Sequence, residues 1–203
     1  MSNAHASTAQ PLHAPADEQR YDQAMHEALR CTDIQDFAGA QTQLVEAMRI
    51  SPASAVPHFL LAANFAQQGD SHEAEAQFIQ CLLRDPSFAL ARFQLGLLQL
   101  TNGRGSVAMA TWEPLLASVE VTYLKRFAQG FQEILLGNRA SAERFFREGI
   151  SRNTGLPLLN RDIEGVLGRL AAMPGSQTES GAAGLPVEVQ ETSHFLVGAY
   201  RQA

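Results

Sequence analysis

The feature that most constrains this chain is a repeat of 34 residues. Alanines recur at this spacing, and a bulky apolar side chain follows each of them four residues later. Small residues, turn glycines and prolines keep the same register. The recurring positions are Ala40, Ala74, Ala108 and Ala142; Leu44, Phe78, Trp112 and Phe146; Ala28, Ala62, Gly96 and Gly130; Gly69, Gly103 and Gly137; and Pro52 and Pro86. A period of this length indicates an array of similar supersecondary units that stack to build one core.

Each period predicts two amphipathic helices joined by a tight turn. Apolar residues keep helical spacing up to Gly69 and Gly103, where glycine can adopt the positive φ that ends a helix. Pro52 and Pro86 then stop the second helix, because proline lacks the amide that would continue it. The second helices are expected to begin near residues whose side-chain oxygens can cap free amides, namely Asp36, Ser71, Ser106 and Ser141.

At these residues the sequence resembles the tetratricopeptide repeat (TPR) family. The resemblance is clearest in the second period and covers about residues 20–153; the third period departs from it at Gln99, where an aromatic residue is usual. It implies an all-α fold, a right-handed superhelical solenoid of about four helix-turn-helix repeats plus a C-terminal capping helix near Leu158 to Met173. The matching residues of the second period are Leu61, Ala62, Phe65, Gly69, Asp70, Ala74, Phe78 and Pro86.

The chain is predicted to divide into four parts. The composition of residues 1–17 is typical of a disordered segment, and that of residues 174–186 is typical of a flexible linker. Between them lies the TPR domain with its capping helix, residues 18–173. An amphipathic tail, residues 187–203, follows the linker. Inside the third unit, Pro114 is expected to kink the second helix or to end it early.

Charge, hydropathy and cysteine content narrow the classes of partner. The net charge is −6 and the 15 Lys and Arg residues are spread along the chain, which argues against a nucleic-acid partner. No stretch approaches the ~20 apolar residues of a membrane span, and the first 25 residues hold no signal-like apolar run, so we expect a cytoplasmic protein. Cys31 and Cys81 suit a reducing compartment, although their number leaves one disulfide open; Cys81 is expected to be a buried, inert thiol.

Sequence patterns of catalysis are absent. The chain has no nucleophile elbow, no phosphate-binding loop and no His-Glu-x-x-His pattern. The adjacent pairs His26–Glu27 and His72–Glu73 would point about 100° apart on a helix and do not make a ligand pair. We therefore predict that the protein is not an enzyme, has no catalytic or metal-ligating residues, and needs no cofactor.

The TPR resemblance implies that the first helices of successive units line a concave groove. The residues projected onto it are almost all apolar, which disfavours a partner's terminal carboxylate as ligand and favours an apolar peptide or helix of a partner protein. Monomers rarely expose a large contiguous apolar surface, so something should cover this one. The projected groove residues are Val56, Phe59, Ala63, Leu90, Phe93, Leu97, Leu100, Leu124, Phe127, Phe131 and Ile134.

Two occupants of the groove, or none, are compatible with the sequence. A partner protein would make the chain an adaptor or a chaperone, similar in size and charge to the small acidic TPR chaperones that shield hydrophobic segments of exported bacterial proteins. Alternatively, the tail fills its own groove or that of a neighbour, which would make the protein autoinhibited or a homodimer. In a tightly wound array, finally, the groove side chains simply meet each other. The tail residues of suitable character are Phe195, Leu196, Val197 and Tyr200.

Overall fold

The computed structural model describes residues 15–120 and 122–173, which form nine α-helices and no β-strand. The predicted linker (174–186), the tail (187–203) and most of the predicted N-terminal segment (1–17) lie outside the described residues. The helices are α1 (Pro15–Asp33), α2 (Phe37–Ile50), α3 (Val56–Gln67), α4 (Ser71–Arg84), α5 (Ala89–Thr101), α6 (Gly105–Ala117), α7 (Tyr123–Leu135), α8 (Arg139–Arg152) and α9 (Pro157–Ala172).

The chain divides into two compact units between Ala53 and Ser54. In the first unit, α1 packs against α2. In the second unit, α3 packs on α4, α5 on α6 and α7 on α8; these pairs are linked by contacts of α4 with α5 and of α6 with α7, and α9 packs on α8. The predicted all-α fold of sequential helix pairs is therefore confirmed, as is a helix at the position predicted for the cap.

The turn between the two helices of a pair repeats with the predicted period. Gly69, Gly103 and Gly137 have φ values of 79°, 75° and 77°. The next amide bonds back to the carbonyl five residues earlier, as from Asp70 N to Phe65 O at 2.9 Å, which closes a Schellman motif. The second helices of the four pairs accordingly begin 34 residues apart, at Phe37, Ser71, Gly105 and Arg139.

The predicted helix caps are only partly right. The side chain of Asp36 accepts a hydrogen bond from Gly39 N at 2.9 Å, as predicted. The predicted caps Ser71, Ser106 and Ser141 are wrong, because the residue that closes each glycine turn is itself the N-cap and places these serines inside the helix. The observed N-caps of the four second helices are Asp36, Asp70, Arg104 and Asn138, and only the two aspartates make a side-chain capping bond.

Small residues admit aromatic rings between paired helices. A Cβ atom added to Gly96 on α5 would overlap the indole of Trp112 on α6, and one added to Gly130 on α7 would overlap the ring of Phe146 on α8. The indole Nε1 of Trp112 also donates to the backbone carbonyl of Phe93 at 3.0 Å. Within these two pairs, the closest helix contact is therefore between a small residue and an aromatic ring.

Pro114 shortens its helix very little. It lies inside α6, which continues to Ala117 and has 13 residues, whereas α2, α4 and α8 have 14 each. Proline near the end of a helix removes one backbone hydrogen bond and leaves the preceding turns intact. The early end that Pro114 predicts therefore shortens α6 by one residue relative to the other second helices.

Both cysteines are buried free thiols. The disulfide that their number left open is not formed. Burial raises the pKa of Cys81 to about 12, aided by the nearby carboxylate of Asp85. The predicted burial of Cys81 is confirmed. Because the thiolate is the reactive form, its raised pKa agrees with the low reactivity that the sequence predicts.

Candidate binding groove

The eleven predicted groove residues all lie on the first helices α3, α5 and α7 of the second unit; we call them the first-helix row. They are mostly buried in the structure. Val56, Leu90 and Ile134 are half-buried. The buried members are Phe59, Ala63, Phe93, Leu97, Leu100, Leu124, Phe127 and Phe131.

Phe93 on α5 lies at the centre of an aromatic cluster. Its ring centroid is 6.1 Å from that of Trp112 on α6, and 6.2 and 6.3 Å from those of Phe127 and Phe131 on α7. Phe131 in turn stacks on Trp112 at 5.8 Å. The rings predicted to receive a partner therefore also hold α5, α6 and α7 together, as the tightly wound alternative predicts.

Phe59 on α3 is likewise both a predicted groove residue and part of the packing between helices. Its ring is fully buried and stacks on Phe88 at 5.0 Å, with Phe78 of α4 at 6.0 Å. A fully buried ring can contact a ligand only after its cover moves. The members of the row that a ligand can reach directly are the half-buried ones, Val56, Leu90 and Ile134.

Helices α3 and α5 are buried around their whole circumference. On α3, every residue from Pro57 to Asn64 is buried, and on α5 the buried residues from Ala91 to Leu100 point in every direction around the helix axis. By contrast, α7 buries one stripe, Leu124, Phe127, Ala128, Gly130 and Phe131. A helix that is apolar and buried all round has neighbours on every side. The face of α5 that carries the row is therefore covered.

Gln99, which stands where the resembled repeat usually has an aromatic residue, belongs to a polar cluster that joins α4, α5 and α6. The amide of Gln99 on α5 donates to Glu75 Oε1 of α4 at 3.0 Å and accepts from Thr111 Oγ1 of α6 at 2.6 Å. Arg104 binds both carboxylate oxygens of Glu75. These bonds from Arg104, with that from Gln99, hold the pKa of Glu75 below its usual range despite partial burial. Sequence reasoning missed this cluster because its members lie up to 36 residues apart and match no motif.

A buried histidine joins α3 to α4. The Nδ1 atom of His58 donates to Gln77 Oε1 at 2.8 Å. Desolvation lowers the pKa of His58, and the charge of Arg84 adds to the effect, although the bond to Gln77 opposes it. Burial thus favours the neutral form of this imidazole, which the sequence did not indicate.

The structure bears on other sites only within residues 15–120 and 122–173. In this part of the chain, no three His, Cys, Asp or Glu side chains are grouped as a metal ion would require. None of its helices combines the length and apolar character needed to cross a membrane. The predicted tail ligand, Phe195, Leu196, Val197 and Tyr200, lies outside the described residues.

No protein-family model matches the chain, and no curated protein matches it.

Proposed function

We propose that this chain is a non-enzymatic protein-interaction module of the TPR type. In this proposal the helix pairs form a right-handed superhelical solenoid, and the first-helix row forms a groove that receives an apolar peptide or helix of a partner. The protein then acts as an adaptor or chaperone without a cofactor, and the cytoplasm is its proposed location.

The observation that carries the proposal is the coincidence of a 34-residue backbone period with an apolar first-helix row. The glycine turns repeat at Gly69, Gly103 and Gly137, so the first helices of successive pairs present equivalent positions. At those positions the chain places aliphatic and aromatic side chains instead of charged ones. Apolar anchors at regular spacing are what an amphipathic helix or an apolar extended segment requires.

The proposal is tested by polar substitution of the reachable members of the row. Aspartate at Phe93 or Phe127 would unfold the protein because both rings are fully buried. The triple variant Val56→Gln, Leu90→Gln, Ile134→Gln avoids this problem, because these side chains are half-buried. We expect it to lose the proteins that co-purify with the wild type from the native host, as counted by quantitative mass spectrometry.

The matched control is Leu83→Gln on α4, whose side chain is 69% exposed and lies outside the row. This variant should retain the wild-type partners. Retention of the same partners by the folded triple variant would contradict the groove.

The apolar character of the tail, at Phe195, Leu196, Val197 and Tyr200, favours a second candidate, a self-associating protein whose tail covers its own groove or that of a second copy. Deletion of residues 187–203 separates these arrangements by sedimentation. A shift to a smaller species indicates a tail exchanged between copies. An unchanged species that binds more apolar dye indicates a tail that covers its own chain.

A further inference from the structure

Gln94 is a buried amide without a hydrogen-bond partner. It lies on α5 with 1% of its surface exposed, and neither its Nε2 nor its Oε1 atom has a hydrogen bond. A buried amide that is left unpaired costs free energy, and such groups are rare in folded proteins. The other buried glutamine of the same helix, Gln99, has both its amide atoms paired.

The repeat does not require a polar residue at this position. The residues 34 positions before and after Gln94 are Leu60 and Ala128, and both are buried. An apolar side chain therefore fits here in the neighbouring pairs, and Gln94 is a local exception to an apolar pattern.

Gln94 borders the first-helix row. It follows Leu90 by four residues and precedes Leu97 by three, and side chains at these spacings are neighbours on a helix. The unpaired amide thus borders the row for which we have proposed a ligand, and because it is buried, a ligand reaches it only after the side chains that cover it move. Its NH2 group donates and its carbonyl oxygen accepts hydrogen bonds, which matches the C=O and N–H of a polypeptide main chain.

The chain itself carries a segment of suitable chemistry. It leaves α9 at Met173, whose carbonyl accepts a hydrogen bond from Arg139 Nη1 at 2.9 Å. Thirty further residues follow, 174–203. The thirteen linker residues 174–186 span roughly 20 Å as a flexible coil and about 43 Å when extended. Such a tether keeps residues 187–203 at millimolar effective concentration around the second unit.

We propose that residues 187–203 of the same chain occupy the first-helix row, and that the Gln94 amide hydrogen-bonds a main-chain group of this segment. The inference rests on the proposed groove and names its resident occupant. The apolar side chains of residues 195–200 supply the burial, and Gln94 fixes the position of the main chain. A partner's apolar segment then has to displace the tail, which makes binding competitive.

The test is hydrogen exchange of the full-length chain, followed by mass spectrometry, for the wild type and the variant Gln94→Met. Methionine keeps the length of the side chain and removes both hydrogen-bonding atoms. We expect the amides of residues 195–200 to exchange at least about tenfold more slowly in the wild type than in a free peptide of residues 187–203. Loss of one hydrogen bond should reduce this protection about fivefold in the variant. Gln132→Met on α7, at a half-buried glutamine, is the matched control and should leave the protection unchanged.

Each other outcome overturns a defined part of the inference. Free-peptide exchange rates in the wild type would exclude the tail as occupant and leave the groove available to an external partner. If the tail is protected and Gln94→Met does not change this protection, Gln94 has no role in holding the tail. A raised melting temperature of the variant would support this conclusion, because removal of a merely unpaired amide stabilises the fold. Protection that increases with protein concentration would assign the occupant to a second copy. Failure of the groove itself is detected separately, by the Val56, Leu90 and Ile134 variant.

Discussion

At the scale of single residues, Gly96 and Gly130 determine how closely paired helices approach. Because a Cβ atom at Gly96 would overlap the indole of Trp112, we predict that Gly96→Ala lowers the free energy of unfolding by about 1–3 kcal/mol. Urea denaturation measures the change. The control Gly168→Ala, in α9 and with no atom within 4 Å of an added Cβ, should raise stability by about 0.5–1 kcal/mol. Equal effects of both substitutions would contradict the packing.

Gln35 occupies the turn position that glycine holds in the later pairs. Its φ is 59°, in the left-handed region that a side chain disfavours. We predict that Gln35→Gly raises the melting temperature, with a gain of about 1 kcal/mol. The opposite substitution, Gly69→Ala at φ 79°, should destabilise by a similar amount. A destabilised Gln35→Gly protein would show that this turn is held by contacts of the glutamine side chain.

His58 makes stability depend on pH. Its pKa is lowered in the folded state from an ordinary value of 6.5, so the unfolded chain binds more protons. The contribution of His58 is complete above about pH 6.5 and is lost progressively as the pH falls below that value. Urea midpoints of the wild type and of His58→Gln, measured from pH 8 to pH 5, should diverge at the acid end, with the wild type falling more steeply. Parallel curves would assign the acid sensitivity to other groups.

At the scale of the elements, the cluster of Glu75, Gln99 and Arg104 holds three consecutive helices in register. We predict that Arg104→Met lowers stability by about 1–2 kcal/mol, because it leaves the carboxylate of Glu75 without its charged partner. The control Arg147→Met removes an ion pair between Glu143 and a 66% exposed arginine, and should cost under about 0.5 kcal/mol. Thermal melts at low and high salt distinguish the two variants. Indistinguishable melts would mean that the cluster is no more than a surface pair.

The sequence predicted the structural features that depend only on residues close together in the chain. Gly69, Gly103 and Gly137 mark the turns because each requires a backbone conformation that glycine adopts freely. Gln35 at the same turn was missed because glutamine gives no such signal. The caps at Ser106 and Ser141 were wrongly placed because the turn geometry, and not the nearest hydroxyl, decides where the helix begins.

The candidate site was predicted less completely, because burial depends on distant neighbours. The geometry that the TPR resemblance implies placed Phe59, Phe93 and Phe127 on one row, but the spacing of apolar residues cannot state whether a ring on that row faces solvent or another helix. The structure places all three in aromatic contacts. Gln94 passed unnoticed for the same reason, since a polar residue beside an apolar row has meaning only once its lack of partners is known.

At the scale of the whole molecule, the packing role of the first-helix row is separate from its proposed binding role. Rings such as Phe93 hold the helix pairs together, whereas Leu90, Ile134 and Gln94 border the face on which a segment would lie. In the proposed arrangement, the tail covers the first-helix row until a ligand that binds more tightly displaces it. Binding of that ligand would then be measured as release of residues 187–203.

The most direct test of the proposed groove is photo-cross-linking from Leu90 in the full-length chain. A photoreactive amino acid at this half-buried position should cross-link to one apolar segment, located by peptide mass spectrometry, either within residues 187–203 or in a partner. The same amino acid at the exposed Leu83 of α4 should give no such product. Cross-links from Leu90 to helices of the second unit alone would contradict the account, because the row would then be core and nothing else.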